Sequence, residues 1–395
     1  MVKDKNFIDW EKYRRILSIF LLVFEGFGIR VLEGVIPSPI IFWTGVLLLL
    51  NIKKIQRLPI YCWCMLVFIA ALYTLFSYIK GLQPQEFYYA AWLSAFCVLS
   101  NYWIRSDWLT VDLYVFTKFC VYYNIAHLLA LLFFNSLLIV TDFGMRPSTI
   151  LYIFYYNVRE GILGIPRIQG FCWEPSCWNS LLNLNVALTL SMRKPWKELI
   201  LPIISIVSVF STTGFATLLI IIGTYFLVYN RKVSWTYKII IVLFAAIVFP
   251  IAQKDLSDKL KEGSGATRLG DFYVASYIIK QSPFLGDDID NITKNLNAMK
   301  EKEKNWGIND NVDRFSEVGM TNAFAGLFVE YGLIIPVLLF WLFYVSPIFP
   351  NRGTAILVEV CVLVVLMGTP IARTGFFYMF PFSTLILFKK RKPKK

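Results

Sequence analysis

Stretches of about twenty mostly apolar residues recur along this chain from one end to the other, too many for a water-soluble domain to bury. Segments 15–33, 35–50, 60–79, 87–104, 110–140, 176–192, 198–212, 214–229, 237–251, 322–345, 354–369 and 374–388 all read as apolar helices. With 57% hydrophobic and only 16% charged residues, the chain is expected to be all-α. The architecture this implies is a polytopic membrane helix bundle of about twelve transmembrane helices. Residues 1–395 then form a single multi-pass domain. An outward loop is expected at 141–176, and a large outward loop or lobe with short helices at 252–321.

Lysine and arginine set the expected orientation. Alternate connections carry Lys53, Lys54 and Arg57, then Arg105, then Arg193, Lys194 and Lys197, then Arg231, Lys232 and Lys238, then Arg352. The basic N-terminus and the final KKRKPKK fall on the same side if there are twelve spans, so both termini are expected to be cytoplasmic. The net charge of +13 is thus a topology signal that also attracts anionic membrane lipid. Its scatter over separate turns, without a recognition motif, argues against nucleic acid as a partner. No small-residue cleavage site follows Arg14 and Arg15, so no cleavable signal peptide is expected.

Cysteine usage points away from a disulfide framework. Five of the seven cysteines lie in apolar segments, where they act as small hydrophobes. Cys172 and Cys177 fall near the outward surface, and free thiols are the expectation there too. No metal-ligand spacing, phosphate loop, dinucleotide fingerprint or hydrolase elbow occurs, so neither a metal nor a cofactor is expected. The single histidine, His127, sits mid-helix and reads as a packed polar residue. Asp112, Lys118, Glu25 and Glu359 are charges within or beside apolar segments, the kind that mark function in membranes.

Two polar stretches carry the chemistry. The first, Arg159 to Glu174, brings two arginines, a glycine-rich turn and a carboxylate to the bilayer edge. The apolar run before it, within 141–175, reads as a re-entrant or interfacial helix. The second stretch runs from about Gln253 to Met320, with a helical pattern over Leu269 to Gln281 that Pro283 and Gly286 end. Arg159, Arg167 and Arg268 are the candidate anion-binding residues, since guanidinium forks match phosphate oxygens and can stabilise a departing diphosphate without a metal. Interfacial snorkelling is the bland account of the same side chains. Glu174 either lies at a helix N-terminus or helps an attacking hydroxyl lose its proton. Gly170 permits a tight turn beside a bound group. Thr321 is a plausible N-cap for the following helix, and Thr321, Asn322 and Arg314 are the further candidates for contact with substrate.

These segments resemble the bacterial O-antigen polymerase and ligase family of integral membrane glycosyltransferases. Arg167-Ile-Gln-Gly170-Phe171 followed by Glu174-Pro175 comes first, then Ser211-Thr-Thr-Gly214. Arg268 with Ser282-Pro283-Phe284-Leu285-Gly286 and Thr321-Asn322-Ala-Phe with Glu330-Tyr-Gly332-Leu complete the series, over roughly residues 150–345. The resemblance implies metal-independent transfer of glycan from an undecaprenyl-diphosphate-linked oligosaccharide at the outer face of a bacterial inner membrane. Arg167 and Arg268 would then attend the diphosphate, and a chain-length regulator protein would be a natural partner. Ligases commonly have histidine where this chain has Thr321, which favours a polymerase that joins repeat units. The alternatives are a ligase transferring glycan to a lipid A core and a transporter or flippase of the same lipid-linked glycan.

Overall fold

A computed structural model describes residues 9–27, 39–79, 85–134, 138–140, 148–150, 154–162, 165–172, 174–229, 264–287, 322–367 and 374–387. The described residues are mostly helical. The helices are α1 (Trp10–Phe27), α2 (Pro39–Ile55), α3 (Ile60–Ile79), α4 (Glu86–Leu99), α5 (Asp107–Phe134), α6 (Pro175–Ser191), α7 (Lys197–Ser208) and α8 (Thr212–Tyr229). They continue with α9 (Ser264–Gln281), α10 (Ala323–Tyr331), α11 (Ile334–Tyr344), α12 (Arg352–Leu366) and α13 (Gly375–Ile386). Each apolar segment read from the sequence overlaps a described helix, with ends differing by up to six residues, except 237–251, which lies outside the described residues; the expected helix over 110–140 stops at Phe134, and its end, Leu138–Val140, is a strand.

Local chemistry accounts for the boundaries. Asn351 caps α12 by accepting from the Thr354 amide (2.9 Å), and Thr374 caps α13 by accepting from the Phe377 amide (3.4 Å). Pro175 opens α6, where a missing N–H costs nothing. The expected single helix over 322–345 is two, because Gly332 takes a left-handed φ of +67° between α10 and α11. Thr321 is not the cap of α10; that position belongs to Asn322, whose Oδ1 accepts from the Ala325 amide (3.1 Å).

The run before the glycine-rich turn is not a helix. It forms a small antiparallel sheet in the order β1 (Leu138–Val140), β2 (Ser148–Ile150), β3 (Phe154–Ile162) and β4 (Ile165–Gly170). Its isoleucines, tyrosines and phenylalanines have the branched or flat side chains that pleated backbone favours. Ile162 pairs with Ile165, and Asn157 with Arg167, with an irregularity between them. β4 packs on α5 and α6.

Neighbouring helices run up and down. Thr44 of α2 reaches Glu25 near the end of α1, while Lys54 reaches Glu11 at its start (3.2 Å). Likewise Trp178 of α6 meets Asn124 of α5, and Asn185 meets Thr117. One end of the bundle therefore collects Arg14, Arg15, Lys54, Asp112, Lys118 and Glu198, and the sheet sits at the other. A buried ion pair, Arg15 Nε to Asp112 Oδ2 (2.6 Å), ties α1 to α5 at the charged end, with Tyr102 donating to the same oxygen (3.0 Å). Phe343, Phe349 and Phe380 stack nearly parallel and lock α11 to α13.

Two described helices, Ile60–Ile79 and Asp107–Phe134, are long and apolar enough to cross a membrane. In α3 only Cys62 and Ser77 are buried, whereas Val67, Phe68, Leu72 and Leu75 are exposed. Water-soluble proteins seldom leave such a contiguous apolar face bare.

Candidate functional site

The sheet end of the bundle carries the first candidate group. β4 brings Arg167 in half-buried, then Ile168 and Gln169 buried, and ends at Gly170. Gly170 has φ +60°, and a Cβ there would lie 2.3 Å from the indole of Trp178. Only glycine meets both demands, so the turn after Arg167 is pressed onto the first turns of α6. Phe171 follows at the centre of an aromatic cluster, edge-on to Trp178 (4.8 Å), Phe20 (5.2 Å) and Tyr123 (6.0 Å). Cys172 and Cys177 are buried free thiols, as expected for this pair.

Glu174 occupies the N-cap position of α6 in extended conformation but does not cap it through its side chain. Its Oε2 instead accepts from the Ser176 hydroxyl (2.7 Å) and the carboxylate stays half-buried. A guanidinium and a carboxylate are thus held on one short, anchored segment. Arg159 lies on β3; its side chain is outside the described residues.

Beneath this segment lies a polar seam that sequence reasoning missed. Trp178 Nε1 donates to Asn124 Oδ1 (2.7 Å), and Asn124 Nδ2 donates to Ser208 Oγ (2.9 Å). Asn183 Nδ2 donates to Asn179 Oδ1 (2.9 Å) and to the Gly214 carbonyl (3.1 Å). Asn124, Asn179 and Asn183 are fully buried. A Cβ on Gly214 would fall 2.0 Å from the Asn179 amide, so that glycine lets α8 close on α6. The spacing Asn179, Asn183 on one apolar helix was the available signal, since i and i+4 share a face. Ser211-Thr-Thr-Gly214 therefore meets α6 directly below the Arg167 segment.

The second candidate group gathers where α9 meets α10. Arg268 lies on α9, with its side chain outside the described residues. One turn later, Asp271 Oδ2 accepts from the backbone amide of Asn322 (2.9 Å). Asn322 is fully buried, and its Oδ1 is engaged in the cap described above. Thr321 and Arg314 lie outside the described residues. Beyond α9, Asp287 donates its amide to the Val329 carbonyl (2.9 Å), and Leu333 donates to the Pro283 carbonyl (2.8 Å). Ser282–Gly286 is thereby clasped to Glu330–Leu333. Glu330, half-buried on α10, accepts from the Tyr88 hydroxyl of α4 (2.8 Å).

His127 is fully buried and packs against the rings of Tyr123 and Phe154, as its apolar setting implies. Among the described residues, no group of His, Cys, Asp or Glu is arranged to hold a metal ion. No protein-family model matches the chain, and no curated protein matches its sequence.

Proposed function

We propose that this chain is a multi-pass membrane glycosyltransferase that polymerises lipid-linked oligosaccharide repeat units at the outer face of a bacterial inner membrane. The observation that carries the reading is the anchored segment Arg167–Glu174. It offers a guanidinium and a hydrogen-bonded carboxylate at the bundle end opposite the basic connections. By the bias of lysine and arginine towards the cytoplasm, that end faces outward.

A substrate charged at one end and apolar at the other suits such a rim. Its polyprenyl tail lies along exposed faces such as that of α3, and its diphosphate is met by Arg167 and Arg268. A hydroxyl of one repeat unit attacks the anomeric carbon of another, the bond from that carbon to the carrier diphosphate breaks, and the arginines stabilise the departing anion. Glu174 takes the hydroxyl proton, with Ser176 holding the carboxylate in place. The clasp between Ser282–Gly286 and Glu330–Leu333 supports the reading because it joins two segments that the family resemblance singles out.

The test is the surface glycan of cells carrying Arg167→Ala or Arg268→Ala in place of the natural chain. Long glycans should disappear and single capped repeats remain, with the protein still in the membrane. Carrier-linked polymer in their place would indicate a ligase. Substrate stranded on the cytoplasmic leaflet would indicate a flippase, and unchanged chain-length ladders from both variants would end the proposal.

A further inference from the structure

A second polar site lies inside the bundle, away from the arginine-bearing segment. Glu25 of α1, Thr44 of α2 and Ser94 of α4 bring three oxygens into mutual contact. Thr44 Oγ1 lies 3.1 Å and Ser94 Oγ 2.9 Å from the same carboxylate oxygen, Glu25 Oε1. The two hydroxyl oxygens are themselves 2.9 Å apart, and Thr44 Oγ1 also lies 2.8 Å from the Ile40 carbonyl. Thr44 and Ser94 are buried.

Counting protons shows what is missing. Each hydroxyl carries one, so two protons serve four short oxygen–oxygen contacts. With an ionised Glu25, two of those contacts have no hydrogen between them and set lone pairs against each other. The other carboxylate oxygen, Glu25 Oε2, is buried with no hydrogen-bond partner among the described residues. Nothing described balances the charge. Among the described residues, the groups that α2, α4 and α13 bring to this corner are Thr44, Ser94, the Cys97 thiol and Thr374, all of them uncharged side chains. Asp112 of α5 is engaged with Arg15 at the other end of α1. An ionised carboxylate among packed helices is expensive, and the four oxygen contacts are short of a hydrogen or a cation between them.

We infer that Glu25, Thr44 and Ser94 bind one small monovalent cation, a proton or Na+. A proton on Glu25 supplies a third hydrogen to the triangle and removes the charge. A sodium ion takes the same three oxygens as ligands, an all-oxygen set suited to a hard cation. The inference stands apart from the glycan-polymerase reading.

The full-length protein in lipid nanodiscs is treated with dicyclohexylcarbodiimide, which adds to protonated carboxyls in apolar surroundings, and the adduct is located by peptide mass spectrometry. A proton site gives an adduct at Glu25 that falls about tenfold per pH unit above its midpoint, with no effect of NaCl over KCl. A site shared with sodium gives the same adduct, suppressed by NaCl but not KCl. A site held by sodium alone gives no adduct, but NaCl raises the thermal unfolding midpoint of the natural chain and not of Glu25→Gln. Thr44→Val provides a second comparison should Glu25→Gln fail to fold, and should weaken whichever response the natural chain shows. Absence of the adduct at every pH together with no sodium-specific shift in unfolding would overturn the inference.

Discussion

Gly286 and Gly332 face each other across the junction of α9 with α10 and α11, and neither tolerates a side chain. A Cβ on Gly286 would lie 2.4 Å from the Val329 carbonyl oxygen, and one on Gly332 would lie 2.3 Å from that of Phe284. Both have left-handed φ, +69° and +67°. Gly286→Ala and Gly332→Ala should each destabilise the protein by about 1–3 kcal/mol, combining backbone strain with the clash. Gly45→Ala is the control: it has open space around it within α2 and should be neutral or stabilising by up to about 1 kcal/mol. Thermal unfolding midpoints in one detergent compare the three; equal midpoints would refute the clasp.

Asp112 and Arg15 form a pair that neither can leave alone. Their side chains are only 3% and 8% exposed, so removing one strands a buried charge. Asp112→Leu should cost about 3–5 kcal/mol, while adding Arg15→Met to it should recover much of that loss. A double-mutant cycle on unfolding free energy measures the coupling. Additive losses would mean that the pair is not coupled.

Arg167 should resist replacement even by lysine. A lysine keeps the charge but loses the planar fork that grips two phosphate oxygens. On the proposed function, with about 1.5–3 kcal/mol at stake for a charge-assisted hydrogen bond to phosphate, polymer formed by Arg167→Lys should fall roughly 10–100-fold. Glycan ladders and in vitro extension of lipid-linked repeats provide the readout. Near-normal activity would make Arg167 an interfacial cation and nothing more.

Trp178→Phe tests the seam beneath the sheet. The ring contacts with Phe171 and Tyr123 would largely survive, but Asn124 Oδ1 would lose its indole donor. A loss of about 1–3 kcal/mol is expected for the stranded acceptor. Asn124→Leu combined with Trp178→Phe should recover part of that loss, because both polar partners are then gone.

What could be read from the sequence follows from the range of the forces involved. Apolar periodicity is local, so α3 could be delimited at both ends and α6 to within a residue. The break at Gly332 was less visible, because Glu330 to Leu333 reads as continuous helix until the backbone of Phe284 closes on it. The strand pairing of Asn157 with Arg167 depends on partners across a turn, and its run of aromatic residues suits a membrane-edge helix equally well. Glu25 and Asp112 stood out as charges in apolar segments. Their partners Thr44, Ser94 and Arg15 lie on helices whose neighbours only the fold assigns.

Residue 287 is tied to Val329 and residue 322 to Asp271, so the two described positions that flank residues 288–321 are both fastened to helices. With both ends held, a longer connection between them adds little loop-closure entropy. Insertions between residues 287 and 322 are therefore expected to leave both anchor points in place.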